Sequence, residues 1–406
     1  MKIGFLGNAN NYPFMLARAV RRLGHDVTFI VANRTQLDRP ENRYPDLRQP
    51  YPQWIRDVGN FEARDYVLPT AKRRMVVELL RKCDAVILNQ NGPALLPLVR
   101  RPAVVLLTGA DLEVYGNIRA RETFFDPSFE HLGPLRRQMA RYIIGKLIKA
   151  QRAGIRAAYT VNYFAPGLAP SGDALLSEIG VSPAQRVFFM MTELERIPFE
   201  HPANNDPPRI FCATRLSWMK PIRPGTCELD YKGSDVMIKG LARFHRQTGV
   251  RLEIRLVKKG LHVAESIRLA EDEGLSDQVT WLDEMSQADV WYEFRQADIV
   301  FEQMGKSVVG MAGLDAMAMG RPVIANGRPE IMEQFVGEPS PICQAETPEE
   351  VAVQLIRLVG DPAERERVGR RSRQYVERHF SADRAAELCL ERLQKGILSS
   401  PVKRTG

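Results

Sequence analysis

ADIVFEQMGKSVVGMAGLDAMAMGRPVIAN, residues 297–326, is the stretch that decides the fold class. Asp298-Ile299-Val300-Phe301 is a short apolar run suited to a buried parallel strand. Gly305, Gly310 and Gly313 punctuate a turn and the start of a helix, and Leu314, Met317 and Ala318 give an apolar stripe at i, i+3 and i+4. Gly320 stands where a left-handed residue caps a helix, and Arg321-Pro322-Val323-Ile324-Ala325 begins the next strand. Strand, glycine turn, helix and strand make the repeating unit of a parallel α/β sheet. A helix entered through glycine presents free backbone N–H groups and the positive end of its dipole, which suits a phosphate. Asp315, within that helix, is placed to hydrogen-bond ribose hydroxyls. A plain packed crossover has the same local pattern, so this stretch alone leaves both readings open.

The surrounding sequence repeats the unit. Residues 203–208, Ala-Asn-Asn-Asp-Pro-Pro, read as a linker. Arg209 to Ala213 is a strand followed by Thr214-Arg215, and an irregular segment from Met219 to Tyr231 leads through Lys232-Gly233 into a helix. The strand from Arg251 to Val257 ends in Lys258-Lys259-Gly260. Further strands and helices alternate to a last helix at Ala382–Leu398, which implies a doubly wound sheet.

The first half follows the same plan. Lys2 to Leu6 is a strand, Phe14 to Leu23 an amphipathic helix, and Val27 to Val31 a second strand. The loop between has one glycine, Gly7, so it is not a dinucleotide fingerprint. Asn8, Asn10, Asn11 and Tyr12 suit contacts to a polar ligand, or serve only to shape the turn. Arg34 to Asp65 is a polar, proline-rich excursion without clear periodicity. Two further strands end in Asn89-Gln90-Asn91-Gly92 and in Thr108-Gly109-Ala110-Asp111, and ligands in such sheets sit at the carboxyl ends of strands. Asn89 and Asn91 are therefore candidate ligand contacts. Asp111 is a candidate base or sugar-hydroxyl acceptor, or the cap of the next helix. The organisation expected is an N-terminal Rossmann-like domain over residues 1–203, a C-terminal one over 209–380, and a segment 381–406 whose helix crosses back to the first domain.

Composition narrows the class. At 406 residues, 44% hydrophobic and 26% charged, the chain has material for two globular cores. Five scattered cysteines and six unclustered histidines show no metal-ligand spacing, and the cysteine usage fits a reducing cytoplasm. A net charge of +8 favours anionic partners, but no nucleic-acid reading motif accompanies it. Leu135 to Tyr159 is a basic amphipathic helix. It is read either as a peripheral contact with the inner membrane face through residues 135–156, or as a helix that packs one side and solvates its charges.

Over roughly residues 209–395 the chain resembles the family-4, GT-B-fold retaining glycosyltransferases. The residues that carry the resemblance are Thr214-Arg215 after a strand, Lys232-Gly233 before a helix, Lys258-Lys259-Gly260, and the closing Leu314-Asp315-Ala316-Met317-Ala318-Met319-Gly320-Arg321-Pro322-Val323-Ile324-Ala325. The resemblance implies two Rossmann-like parallel-sheet domains facing across a cleft. It implies a nucleotide diphosphate sugar, UDP- or GDP-linked, as co-substrate, with no bound metal or cofactor. Arg215 and Lys232 would neutralise the donor diphosphate, with Lys258 and the amides of Gly310, Met311 and Ala312. Asp315, in place of the family's second Glu, would bind the ribose. The first Glu of that Glu-x7-Glu motif falls on Ser307, with Glu302 and Gln303 nearby as replacement contacts to the sugar. The family's His-Gly-x-Asp loop is matched only by Gly109 and Asp111, its histidine falling on Thr108. The expected activity is transfer of a sugar with retention to an acceptor held near Asn8–Tyr12, Asn89, Asn91 and Asp111, in cell-surface glycan or glycoconjugate biosynthesis. A nucleotide-sugar epimerase or hydrolase of the same fold, or a catalytically weak nucleotide-sugar-binding protein, are the alternatives.

Overall fold

The computed structural model describes residues 1–32, 35–219, 230–305 and 308–399. The chain forms two compact units. The first comprises Met1–Phe164, Pro170–Phe189 and the chain from Ala382; the second comprises Ala165–Ala169 and Met190–Ser381.

The first unit is built on a seven-stranded sheet: β1 (Lys2–Leu6), β2 (Asp26–Val31), β3 (Ile55–Asp57), β4 (Ala85–Asn89), β5 (Ala103–Leu106), β6 (Thr160–Asn162) and β7 (Arg186–Val187). Their order is β3-β2-β1-β4-β5-β6-β7, every pair parallel. The second carries β8 (Arg209–Cys212), β9 (Glu253–Val257), β10 (Val279–Leu282), β11 (Ile299–Phe301), β12 (Val323–Ala325) and β13 (Cys343–Gln344). Their order is β10-β9-β8-β11-β12-β13, again parallel throughout. The doubly wound architecture expected from the sequence is thus present in both units.

The helices that matter below are α1 (Tyr12–Arg22), α2 (Pro134–Ala157), α3 (Ser234–Thr248), α4 (Gln287–Gln296), α5 (Met311–Ala318), α6 (Pro348–Gly360), α7 (Pro362–His379) and α8 (Ala382–Ser399). Helix α1 starts on Pro13 in its first turn and buries Leu16, Ala17 and Val20 against the sheet. Ser286 caps α4 by accepting the Asp289 N–H, with the Asp289 carboxylate returning the bond, and Thr347 and Glu350 do the same for α6. In the second unit Ile210, Ile254, Ile299 and Ile324 pack against Met237 and Leu241 of α3 and Val351 and Leu355 of α6. That apolar layer fixes the strand ends on which the site is built.

Three features depart from the sequence reading. The excursion at 34–65 contains β3, whose only buried residue is Ile55, too little to give an alternating pattern. Strands β6, β7 and β13 span three residues or fewer and carry no periodic signal. The division between units falls at Phe189–Met190 rather than near 203. Residues beyond Met190 are tied to the second unit, where Thr192 N–H donates to Phe380 O at 2.8 Å and Glu200 N–H to Met319 O at 3.0 Å. Among the described residues no helix is long and apolar enough to cross a membrane.

Candidate functional site

In the second sheet the chain runs from β8 outward to β9 and β10, then returns to β11 on the other side of β8. The carboxyl ends of β8 and β11 therefore flank the crevice where open α/β sheets take ligands. Backbone hydrogen bonds stitch the loops around it. Leu216 N–H donates to Lys259 O at 2.6 Å, His262 N–H to Leu216 O at 3.0 Å, Lys232 N–H to Ser217 O at 2.6 Å, and Met304 N–H to Lys232 O at 2.9 Å. Two glycines make the approach possible. A Cβ on Gly260, at φ +123°, would fall 2.5 Å from Leu216 O, and one on Gly233, at φ +65°, 2.9 Å from the Met304 carbonyl carbon. Arg215, Lys232 and Lys258, distant in sequence, thus stand on segments bonded to one another.

Lys232 Nζ donates to the buried Gln303 Oε1 at 2.7 Å. Arg215 is exposed, with Asp230 at 3.6 Å. Lys258 meets Asp283 at 2.7 Å, and Asp283 is itself 90% exposed. The exposed pairs of Arg215 and Lys258 contribute little to stability, so a multiply charged anion can compete for those two cations.

Helix α5 points its N-terminus at the same crevice. The buried Glu302 carboxylate accepts Gly310 N–H at 3.0 Å and the Thr214 hydroxyl at 3.2 Å. It therefore bridges the ends of β8 and β11 and caps the helix. Gly310, expected to offer its amide to a phosphate, offers it to Glu302; Met311 and Ala312 follow in the first turn, where N–H groups have no partner within the helix. Gln303 is buried between Lys232 and Val308 O, to which its side chain donates. Ser307 lies outside the described residues.

Asp315 sits differently from expectation. It is buried, and its carboxylate accepts Trp291 Nε1–H at 2.9 Å, Gln287 Nε2–H at 3.2 Å and the Thr192 hydroxyl. A ribose hydroxyl reaching Asp315 has to share the carboxylate with these donors. None of the three could be anticipated, because they come from α4 and from the segment after Met190.

In the first sheet the chain order reverses between β1 and β4. A cavity of about 440 Å³ opens there, within the range of small-molecule sites. Asn8, Asn10, Asn91 and Asp111, all expected as site residues, line it. The Asn8 side chain serves the loop, donating to Asn11 Oδ1 at 2.8 Å and Asp38 O at 2.7 Å and accepting Phe14 N–H at 3.0 Å. Asn11, Tyr12 and Asn89 do not line the cavity. Asn11 donates to Leu37 O and Arg39 O, Tyr12 OH to Phe189 O, and Asn89 Oδ1 accepts Ala9 N–H. For Asn11 and Asn89, shaping the loops is the role the structure displays, since both carboxamides are bonded within the protein, to backbone groups and to the side chains of Asn8 and Asp111 respectively.

Asp111 is not a simple helix cap. Its buried carboxylate accepts Thr108 N–H at 2.8 Å, Gly109 N–H at 2.9 Å, the Thr108 hydroxyl at 3.1 Å and Asn89 Nδ2–H at 3.2 Å. Burial pushes its pKa up to about 6, against the downward pull of the Thr108 and Gly109 bonds. More of the wall comes from Asp38 and Phe61 of the proline-rich excursion, Tyr66 just after it, Thr108, and Tyr115 beyond β5. Sequence reasoning named the Thr108 loop but missed the others; for Asp38 and Phe61 the signal was the length of the excursion, which exceeds that of an ordinary connection.

Residues 228–375, within the second unit, match the family described as glycosyl transferases group 1. No curated protein matches the chain. Solved structures do. A sucrose-phosphate synthase from Thermosynechococcus elongatus is 15% identical with TM-score 0.61, covering 98% of this chain and 100% of that one. HepE from Anabaena, solved in complex with UDP and glucose, is 16% identical with TM-score 0.62, covering 97% and 100%. A glycosyltransferase from Rickettsia africae is 14% identical with TM-score 0.62, covering 98% and 99%. The fold is GT-B. The family match adds support for a glycosyltransferase activity.

Proposed function

We propose that the chain is a retaining glycosyltransferase of family 4, moving a sugar from a UDP- or GDP-linked donor to an acceptor in the building of a cell-surface glycan or glycoconjugate. The observation that carries the reading is the gathering of Arg215, Lys232 and Lys258 beside the N-terminus of α5 at the β8/β11 switch point. When the bond between the anomeric carbon and the diphosphate breaks, its electron pair goes to the leaving phosphate oxygen. Arg215 and Lys232 neutralise that charge, which is where electrostatic catalysis contributes most. With two permanent cations in that role, the transfer needs no metal ion. Asp315 contacts the ribose alongside its bonds to Trp291, Gln287 and Thr192. Glu302 and Gln303 face the donor sugar. HepE's complex with UDP and glucose supports a UDP-sugar as the first donor to try.

The test is donor chemistry. A melting-temperature screen against nucleotide sugars identifies the donor, since a ligand bound only by the folded state raises the transition. With that donor, Lys232→Ala and Arg215→Ala each lower turnover 100-fold or more, about 3 kcal/mol of transition-state stabilisation, without changing the melting temperature. Wild-type turnover in either variant removes the donor-site assignment.

The first ten residues of α2 bury no side chain. Leu135, Met139 and Tyr142, at i, i+4 and i+7, are 78%, 54% and 52% exposed, with Arg136, Lys146 and Lys149 alongside. We assign this stripe to peripheral contact with an anionic membrane surface.

A further inference from the structure

The cavity of the first unit has a mixed wall in which neutral polar groups are prominent. Asn10, Asn91, Thr108 and Tyr115 present carboxamides and hydroxyls, each of which both donates and accepts hydrogen bonds. Phe61 and Tyr66 add aromatic rings, packed edge to face with centroids 4.7 Å apart. Among the described lining residues there is no lysine and no arginine.

Its two carboxylates already have internal donors. Asp38 accepts Asn10 N–H and Gln90 Nε2–H, each at 2.9 Å, and Asp111 accepts from Thr108, Gly109 and Asn89. Among the described lining residues a phosphate or carboxylate meets negative charge and no cation, which is costly in a partly buried site. An ammonium group is attracted by the same carboxylates, so the lining discriminates against anions. A hydroxyl, itself both donor and acceptor, matches the lining, and the apolar C–H face of a sugar ring matches aromatic side chains.

We propose that this cavity selects an uncharged saccharide ring as the acceptor group, and excludes phosphorylated and carboxylated sugars. The assignment of the cavity to the acceptor rests on the glycosyltransferase reading above; the preference for an uncharged ring rests on the lining itself.

Saturation-transfer NMR on the full chain, with and without UDP, tests it. The probes are methyl glucoside, methyl galactoside and methyl mannoside, set against glucose 6-phosphate and glucuronate. At least one uncharged glycoside gives a signal and the two anionic sugars give none. Ala110→Arg, at an exposed position on the cavity wall, weakens that glycoside's binding tenfold or more with an unchanged melting temperature. Stronger signals from an anionic sugar, silence from every uncharged glycoside, or full binding by Ala110→Arg would each overturn the proposal. Nucleotide binding is measured separately by titrating UDP and GDP. If glycosides bind and neither nucleotide does, the transferase reading fails while the cavity's preference stands. If a nucleotide binds and only anionic sugars occupy the cavity, the preference fails alone.

Discussion

Asp315 shows how one carboxylate can hold a frame and face a ligand at once. Its bonds to Trp291, Gln287 and the Thr192 hydroxyl are charge-assisted, a class worth about 1.5–3 kcal/mol each when a partner is lost. Asp315→Asn therefore lowers stability by about 1–3 kcal/mol, measured by urea unfolding. If the ribose contact also exists, the donor KM rises with kcat little changed, because that contact is made in ground and transition states alike. A stability loss with an unaltered KM would leave Asp315 as framework only. Asp111 gives a second residue-scale expectation. Its carboxyl, normally ionising near 3.8, is raised by burial to about 6. Between those values the folded chain holds a proton that the unfolded chain has released, so this group's contribution to stability falls as pH rises from about 4 to 6. Asp111→Asn flattens the melting temperature over that interval relative to wild type, and carboxyl-carbon NMR follows the titration directly. An unshifted wild-type titration near 4 would remove both expectations.

At the scale of the element, α2 divides into two halves. Ile144, Leu147, Ile148 and Ile155 are buried, while the half before them holds its apolar stripe in solvent. Vesicles with anionic headgroups are expected to sediment the protein at low salt and release it as salt rises, since the basic side chains act through screened charge. Replacing Leu135, Met139 and Tyr142 with serine weakens sedimentation while leaving the fold, because none of the three is buried. Failure of the wild type to sediment would return the helix to an ordinary solvated face. The helix was legible because its apolar positions recur at helical spacing. The same is true of the residue 297–326 unit, where an apolar strand, a glycine turn and a capped helix agree with one another. The wall of the first unit's cavity was not legible. Asp38, Phe61 and Tyr66 lie in a segment with no period, and only tertiary folding brings them to the ends of β1, β2 and β4. Nor could the capping of α5 by Glu302 be read, since an acidic residue eight positions before a helix has no local reason to reach its first amide. The asparagines of the first loop were ambiguous for a different reason. A carboxamide satisfies a backbone turn and a ligand hydroxyl equally well, and sequence does not say which comes first.

For the whole molecule, both sheets place their polar loops at a reversal of strand order, so each unit carries its own candidate site. The first unit opens and closes the described chain, because α8 returns to it and Arg22 meets Asp383 at 2.7 Å on the α1 side. The second unit, apart from residues 165–169, is one continuous run from Met190 to Ser381. Its two ends lie side by side, with Thr192 bridged to Ser381 as neighbouring strands would be. A segment whose entrance and exit are paired behaves topologically as a cassette set into a host chain. Expressed alone, the run from Met190 to Ser381 is expected to unfold cooperatively when followed by circular dichroism, because excision cuts no strand of its sheet.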